Sequence, residues 1–124
     1  MKGKTALLFG ASGLVGSFVL EELIRNNNYT VIKLFSRKHV DIENIKVIQY
    51  VVNFNRPEEF SGLITGDDLF CCIGTTIGKA GSQIAFRNVD YVIPVKLAYI
   101  AKKNFVDRFL VVSSIGANKN SNKY

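Results

Sequence analysis

An α/β architecture, a parallel sheet with helices on both faces, follows from three features of the 124-residue sequence. Short apolar runs alternate with segments of helical periodicity. The first strand meets the first helix through closely spaced glycines. One apolar run, Asp68-Leu69-Phe70-Cys71-Cys72-Ile73, is continuous rather than alternating, the pattern of a parallel strand covered on both faces. Such strands are joined by right-handed crossovers, and the binding crevice lies outside their carboxyl ends.

The elements can be placed in order. Lys4 to Phe9 is the first strand, and a helix then runs through Val15, Phe18, Val19, Leu23 and Ile24, whose 3-and-4 spacing makes one apolar face. Asn26-Asn27-Asn28 stops that helix. Tyr29 to Ser36 is the second strand and Lys46 to Val52 the third, while Pro57-Glu58-Glu59-Phe60 opens a short helix or turn. The continuous run at 68–73 is the fourth strand. A long helix from about Gln83 to Asn104 carries Val89, Val92, Ile93, Leu97 and Ile100 on one stripe. Pro94 lies inside that stripe and is expected to bend it. Asp107 to Val112 is the fifth strand, ending at Ser113-Ser114. Gly10, Arg37, Asn53, Gly74 and Ser114 each fall just past a strand's carboxyl end, so they converge on one rim.

The most informative stretch is Gly10-Ala11-Ser12-Gly13-Leu14-Val15-Gly16, with glycines spaced G-x-x-G-x-x-G between strand and helix. Gly10 permits the tight turn, Gly13 lets the backbone approach a ligand, and Gly16 lets the helix lie close on the strand. The free N–H groups at the helix start face a diphosphate, and the helix dipole adds roughly 0.3–1 kcal/mol for negative charge there. The spacing carries one more residue than the usual dinucleotide fingerprint, G-x-G-x-x-G, and a glycine turn in another parallel α/β protein is the competing reading. A secretory signal is a poorer one. Lys2 and Lys4 do precede an apolar stretch, but three glycines interrupt it, no A-x-A site follows, and it continues into Glu21-Glu22-Leu23-Ile24-Arg25.

Length fits a single domain over 1–124, with roughly two thirds of the unfolded surface buried. Nearly half the residues are apolar (48%), yet no run approaches a membrane span, so no membrane partner is expected. The net charge of +6 is spread along the chain without the aromatic interleaving that reads single strands, and no nucleic-acid partner is expected. Cys71 and Cys72 are adjacent, which excludes C-x-x-C redox and zinc spacings; two buried thiols in a reducing cytosol is the expectation. No metal site can be built around His39, the one histidine.

In enzymes that use NAD, an acidic residue about 20 positions beyond the glycine turn accepts hydrogen bonds from the ribose 2′-OH. Here that region reads Ser36-Arg37-Lys38, with no carboxylate before Asp41. A guanidinium can grip a 2′-phosphate bidentately, worth roughly 1.5–3 kcal/mol. NADP(H) is therefore expected over NAD(H), against the alternative that Arg37 and Lys38 are ordinary surface charges.

On these residues the chain resembles the atypical short-chain dehydrogenase/reductases, the group that includes the Tat-interacting-protein oxidoreductases. The resemblance rests on Phe9-Gly10-Ala11-Ser12-Gly13 with Gly16, on Phe70-Cys71-Cys72-Ile73-Gly74-Thr75-Thr76-Ile77-Gly78-Lys79-Ala80-Gly81, on Asn88-Val89-Asp90-Tyr91-Val92, and on Ser113-Ser114 with Gly116-Ala117. It covers nearly the whole chain, and the Cys-Cys-x-Gly-Thr-Thr run is its most specific part. It implies a Rossmann-type sheet of order 3-2-1-4-5, truncated after the fifth strand. It also implies that Ser12, Gly13, Leu14 and Val15 contact the diphosphate, Arg37 and Lys38 the 2′-phosphate, and Ile73 and Gly74 a ribose. Where many relatives have Asp near adenine, this chain has Asn53, whose amide still offers a donor and an acceptor.

The same resemblance gives Ser114 the role of carbonyl anchor and Tyr124 that of acid/base. The lysine that follows such a tyrosine is absent here. Lowering a tyrosine pKa from near 10 by roughly three units needs about 4 kcal/mol, much of it normally supplied by that lysine, so the 124-residue chain is expected to be inactive alone. Phe109, Leu110, Val111 and Val112 want cover on both faces, and each large apolar side chain left exposed forgoes roughly 1.5–3 kcal/mol. The expectation is an N-terminal part of a longer reductase, or self-association into a homo-oligomer. Function then divides between an oxidoreductase acting on a carbonyl or alcohol of unknown identity and a non-catalytic NADPH-sensing or protein-interaction module.

Overall fold

The computed structural model describes residues 3–11, 13–73 and 92–112. Five parallel strands form one sheet in the order β3-β2-β1-β4-β5, with β1 Lys4–Phe9, β2 Tyr29–Ser36, β3 Val47–Val51, β4 Asp68–Cys71 and β5 Arg108–Val111. This is the Rossmann-type order. Helix α1, Leu14–Arg25, connects β1 to β2, and helix α2, Ile93–Lys103, precedes β5. Two short 3₁₀ turns, Pro57–Glu59 and Ser61–Leu63, lie between β3 and β4.

Strand alternation sorts the apolar residues onto two faces. Ala6, Leu8, Ile32 and Leu34 bury against Leu20 and Leu23 of α1. Leu7, Phe9, Phe35, Leu69 and Cys71 bury on the other face with Ile64, Phe60 and the α2 residues Ile93, Leu97 and Ala101. Residues 6 to 9 of β1 are fully buried, as a central strand with both faces covered requires.

The helix ends are satisfied from elsewhere in the chain. Lys46 donates its Nζ protons to Ile24 O (2.7 Å) and Asn26 O (3.2 Å), placing a cation at the negative end of α1. Asn104 closes α2 and donates its Nδ2 protons to Ser61 O (2.9 Å) and Ile64 O (2.8 Å), tying the helix to the 3₁₀ turns. Pro94 sits in the first described turn of α2. The part of the expected helix before Val92, and any bend it makes at Pro94, lies outside the described residues.

At the amino end of the sheet, the first residues of four adjacent strands meet. Asp68 is 1% exposed and accepts two bonds from Arg108, Nε to Oδ1 at 2.9 Å and Nη2 to Oδ2 at 3.0 Å. It also accepts one from the Tyr29 hydroxyl at 2.5 Å, with Lys4 Nζ 3.8 Å away. A register shift at the start of β2, where Lys4 pairs Tyr29 but Thr5 pairs Val31, turns the Tyr29 side chain onto the face that holds Asp68. The Arg108 guanidinium holds the Asp68 carboxyl below the usual carboxylate range. Burial, then the Asp68 carboxylate, pushes Tyr29 up to about 12. This cluster was not anticipated, because it joins positions about 40 residues apart.

At the other edge of the sheet, β5 is poorly covered: Leu110 is 40% and Val111 54% exposed. The demand for cover expected at 109–112 is thus present in the described strand.

Candidate functional site

The carboxyl rim is built from the turn after β1 outward. Gly10 has a φ of +88°, the left-handed region where a side chain is strained, and its N–H donates to Phe35 O at 3.2 Å. A Cβ there would lie 3.0 Å from the carbonyl of Cys72 and 3.1 Å from Ile73 N. The turn is therefore wedged between the ends of β2 and β4. Gly16 is more constrained still, since a Cβ on it would come 1.9 Å from Gly10 O. Its missing side chain is what lets α1 lie directly on the turn. Gly13 is the opposite case: a Cβ there would meet nothing within 4 Å among the described residues. Neither its φ of −81° nor its neighbours require a glycine, and the open space beside it is the room a ligand phosphate needs.

Gly13 is also the N-cap of α1, and no side chain caps it. The first turn holds no acidic residue, so the N–H groups of Leu14, Val15 and Gly16 point outward without a carboxylate competing for them. Leu14 is 88% exposed and Val15 half-buried. Uncapped amides, a positive dipole end and open space are the features with which a helix start can receive an anion.

The neighbouring strand ends bring further groups to the same rim. Arg37 and Lys38 follow β2 directly, are exposed, and make no ion pair among the described residues. The loop they begin is held in place by Gln49 of β3, whose Oε1 accepts from Val40 N at 2.9 Å and whose Nε2 donates to Val40 O at 2.8 Å. Ser36, the last residue of β2, is 5% exposed, and its Oγ has no hydrogen-bond partner among the described residues. Register extends the pair Phe9–Phe35 to place Ser36 beside Gly10, on the α1 face with Ile32 and Leu34. Ser36 lies 20 positions after Gly16, and its burial is not evident from the sequence alone.

Asn53 lies just beyond β3, exposed, but its side chain is already engaged. Its Oδ1 accepts from Asn55 N at 2.9 Å and its main-chain O from Arg56 N at 2.9 Å, forming a turn. What remains for a ligand is chiefly the Nδ2 donor. Ile73 follows β4 with its side chain buried in the core, so only its backbone faces the rim. Ser12, Gly74, Ser114 and Tyr124 lie outside the described residues.

An aromatic layer supports the rim from below. Phe9 and Phe35 stack with centroids 4.4 Å apart and planes within 4°, and Phe54, Phe60 and Tyr50 pack around them at 5.2–6.1 Å. Phe9 immediately precedes Gly10 and Phe35 precedes Ser36, so this cluster fixes the height of both strand ends. Just past the fourth strand, burial pushes the Cys72 thiol up to about 11, which leaves it protonated and a weak nucleophile.

Comparison with known proteins identifies a family. A family model described as NAD(P)H-binding matches residues 10–124. Protein HTATIP2 of Rattus norvegicus is 35% identical over 98% of this chain and 51% of its own length, and the mitochondrial Protein FMP52 of Debaryomyces hansenii is 32% identical over 94% and 53%. The chain thus spans about half the length of the curated relatives it matches. Uronate dehydrogenase from Agrobacterium tumefaciens superposes with a TM-score of 0.74 at 17% identity, over 91% of this chain and 41% of that one. L-threonine dehydrogenase from Clostridium difficile gives 0.73 at 16%, over 90% and 36%. With its strand order, its glycine turn and a family match across most of its length, the chain belongs to the NAD(P)H-binding atypical short-chain dehydrogenase/reductases.

Proposed function

We propose that the chain is the NADP(H)-binding part of an oxidoreductase that interconverts a carbonyl and an alcohol. The observation that carries this reading is the pairing of Gly16 and Gly13: one glycine clamps helix to turn, since a Cβ on it would lie 1.9 Å from Gly10 O, and the other leaves open space at the helix start. That combination suits a pyrophosphate cradled by the amides of Gly13, Leu14, Val15 and Gly16, with Ser12 beside them. Arg37 and Lys38 take the 2′-phosphate, the Asn53 amide donates to adenine, and the backbone of Ile73 and Gly74 lies along a ribose. The bound nicotinamide supplies the hydride. In the reduction direction Ser114 donates a hydrogen bond to the substrate carbonyl and the Tyr124 hydroxyl delivers the proton to the alkoxide oxygen as it forms. The proposed compartment is the cytosol, although several relatives are named mitochondrial.

Calorimetric titration with NADPH and NADH tests the cofactor assignment. NADPH is expected to bind roughly 10–100-fold tighter, with the preference lost in Arg37→Ala. Equal affinity, or an NADH preference that survives Arg37→Ala, overturns it. For the reaction, the protein at its full natural length should oxidise NADPH with a carbonyl panel in a Tyr124-dependent way. Binding without turnover assigns it instead to a cofactor-sensing module.

A further inference from the structure

We propose that β3 is a self-association edge: two copies of this chain pair their β3 strands antiparallel about Gln49, joining two sheets into one. Nothing in this depends on the cofactor reading. β3 closes the sheet on one side, with β2 as its single strand neighbour. Ile32 N donates to Lys46 O at 2.8 Å and Val52 N to Ser36 O at 2.8 Å, so the main-chain groups of the even-numbered residues face β2. Those of Val47, Gln49 and Val51 therefore point away from the sheet. Val47 N is taken up by Asn44 O at 3.0 Å, whereas Gln49 N, Val51 N and the three outward carbonyls have no partner among the described residues. Natural sheet edges are ordinarily guarded by a charge, a proline or a bulge. This edge lacks all three: residues 47–55 contain no charged residue and no proline, and the β2–β3 register runs without a shift. It also leaves β-branched side chains in water, with Ile48 45% and Val51 58% exposed.

A second copy is the occupant because the strand is complementary to itself. With Gln49 opposite Gln49 of the second copy, Gln49 N–H donates to Gln49 O and Val51 N–H to Val47 O, each bond made twice by the two-fold axis. Side chains then meet in matched pairs on both faces. Val47 lies against Val51, and Ile48 against Tyr50, an aromatic–β-branched pair of the kind that stabilises antiparallel strands. Charge favours the same direction. Exposed Asp41 and Glu43 precede the strand, and Arg56, exposed while it pairs with Glu59, follows it. Antiparallel docking lays the acidic end of one copy beside the basic end of the other. Five residues a side make a small contact, so the dimer is weak, with a Kd on the order of 0.1 mM.

Amide hydrogen exchange on the protein at its full natural length, read residue by residue at concentrations about tenfold below and tenfold above that Kd, tests the edge directly. Exchange at Gln49 and Val51 should slow about fourfold at the higher concentration, by mass action, while Ile48 and Tyr50, already bonded to β2, stay protected at both. In sedimentation equilibrium, Ile48→Lys and Val51→Lys should each abolish association and keep the parent's melting temperature in dilute solution. Val111→Lys, on the opposite edge, should leave association intact. Exchange at Gln49 and Val51 that ignores concentration overturns the proposal, as does association that survives both β3 lysines or is lost with Val111→Lys. The exchange measurement needs no variant, so it decides the matter even if a lysine substitution prevents folding.

Discussion

Replacing Gly16 by alanine sets two effects against each other. Helix propensity favours alanine in a helix by about 1 kcal/mol. The added Cβ would sit 1.9 Å from Gly10 O, 2.8 Å from Gly10 C and 2.9 Å from Ala11 Cα, all backbone atoms of a turn pinned by the Gly10 N–H to Phe35 O bond. Reaching even 3.0 Å from that oxygen requires α1 to retreat by about 1.1 Å, which opens the packing of Leu20 and Leu23 on Leu8 and Ile32. Overpacking of this kind costs about 3 kcal/mol or more where the neighbour cannot yield, so the net loss should be at least about 2 kcal/mol, or roughly 6–10 °C in Tm. Gly13→Ala is the matched control. Nothing stands within 4 Å of its Cβ, so stability should change by less than about 1 kcal/mol while NADPH affinity falls at least about tenfold. Urea denaturation and cofactor titration on both variants read these outcomes together. A Gly16→Ala chain as stable as the parent, or a Gly13→Ala chain that binds NADPH as tightly, would refute the assigned glycine roles.

Asp68→Asn should cost about 2–4 kcal/mol at pH 7, less than a fully buried pair because the Arg108 side chain is 60% exposed, as measured by urea denaturation. The Asp68 carboxyl titrates below its unfolded value of about 3.9, so its stabilisation is full above that pH and drains as pH falls through the native value. The parent should thus lose stability below about pH 4 more steeply than Asp68→Asn. Tyr29, raised to about 12, adds an alkaline counterpart: its stabilisation holds below pH 10 and is lost between about 10 and 12, a limb that Tyr29→Phe should lack. Gln49→Ala removes both bonds to Val40 and should raise hydrogen exchange at Val40, with a several-fold weaker NADPH affinity from a loosened 37–40 loop. Phe35→Ala opens the aromatic layer and should cost about 3–5 kcal/mol, with Tm falling accordingly.

The strands and the turn were legible because their signals are local. A central parallel strand must be apolar on both faces, as Ala6 to Phe9 are, and a glycine spaced to touch another glycine announces close backbone approach. Boundaries moved only slightly. The run at 68–73 ends as a strand at Cys71, because Cys72 and Ile73 turn against Gly10. What sequence could not reveal were pairings between distant positions. Tyr29 reaches Asp68 only through a register shift, and Gln49 finds Val40 across a loop. Asn53 does lie just past β3, but its local turn engages the side-chain oxygen, a contact its identity alone does not disclose. Ser36 needed burial and hydrogen-bond accounting, since serine at a strand end is otherwise unremarkable.

The main-chain cradle itself can be observed residue by residue. In a ¹⁵N-labelled sample titrated with NADPH, the amide resonances of Gly13, Leu14, Val15 and Gly16 should move most and saturate together, with Arg37 following. Saturable binding that leaves those four amides in place while others shift would contradict the account at its root.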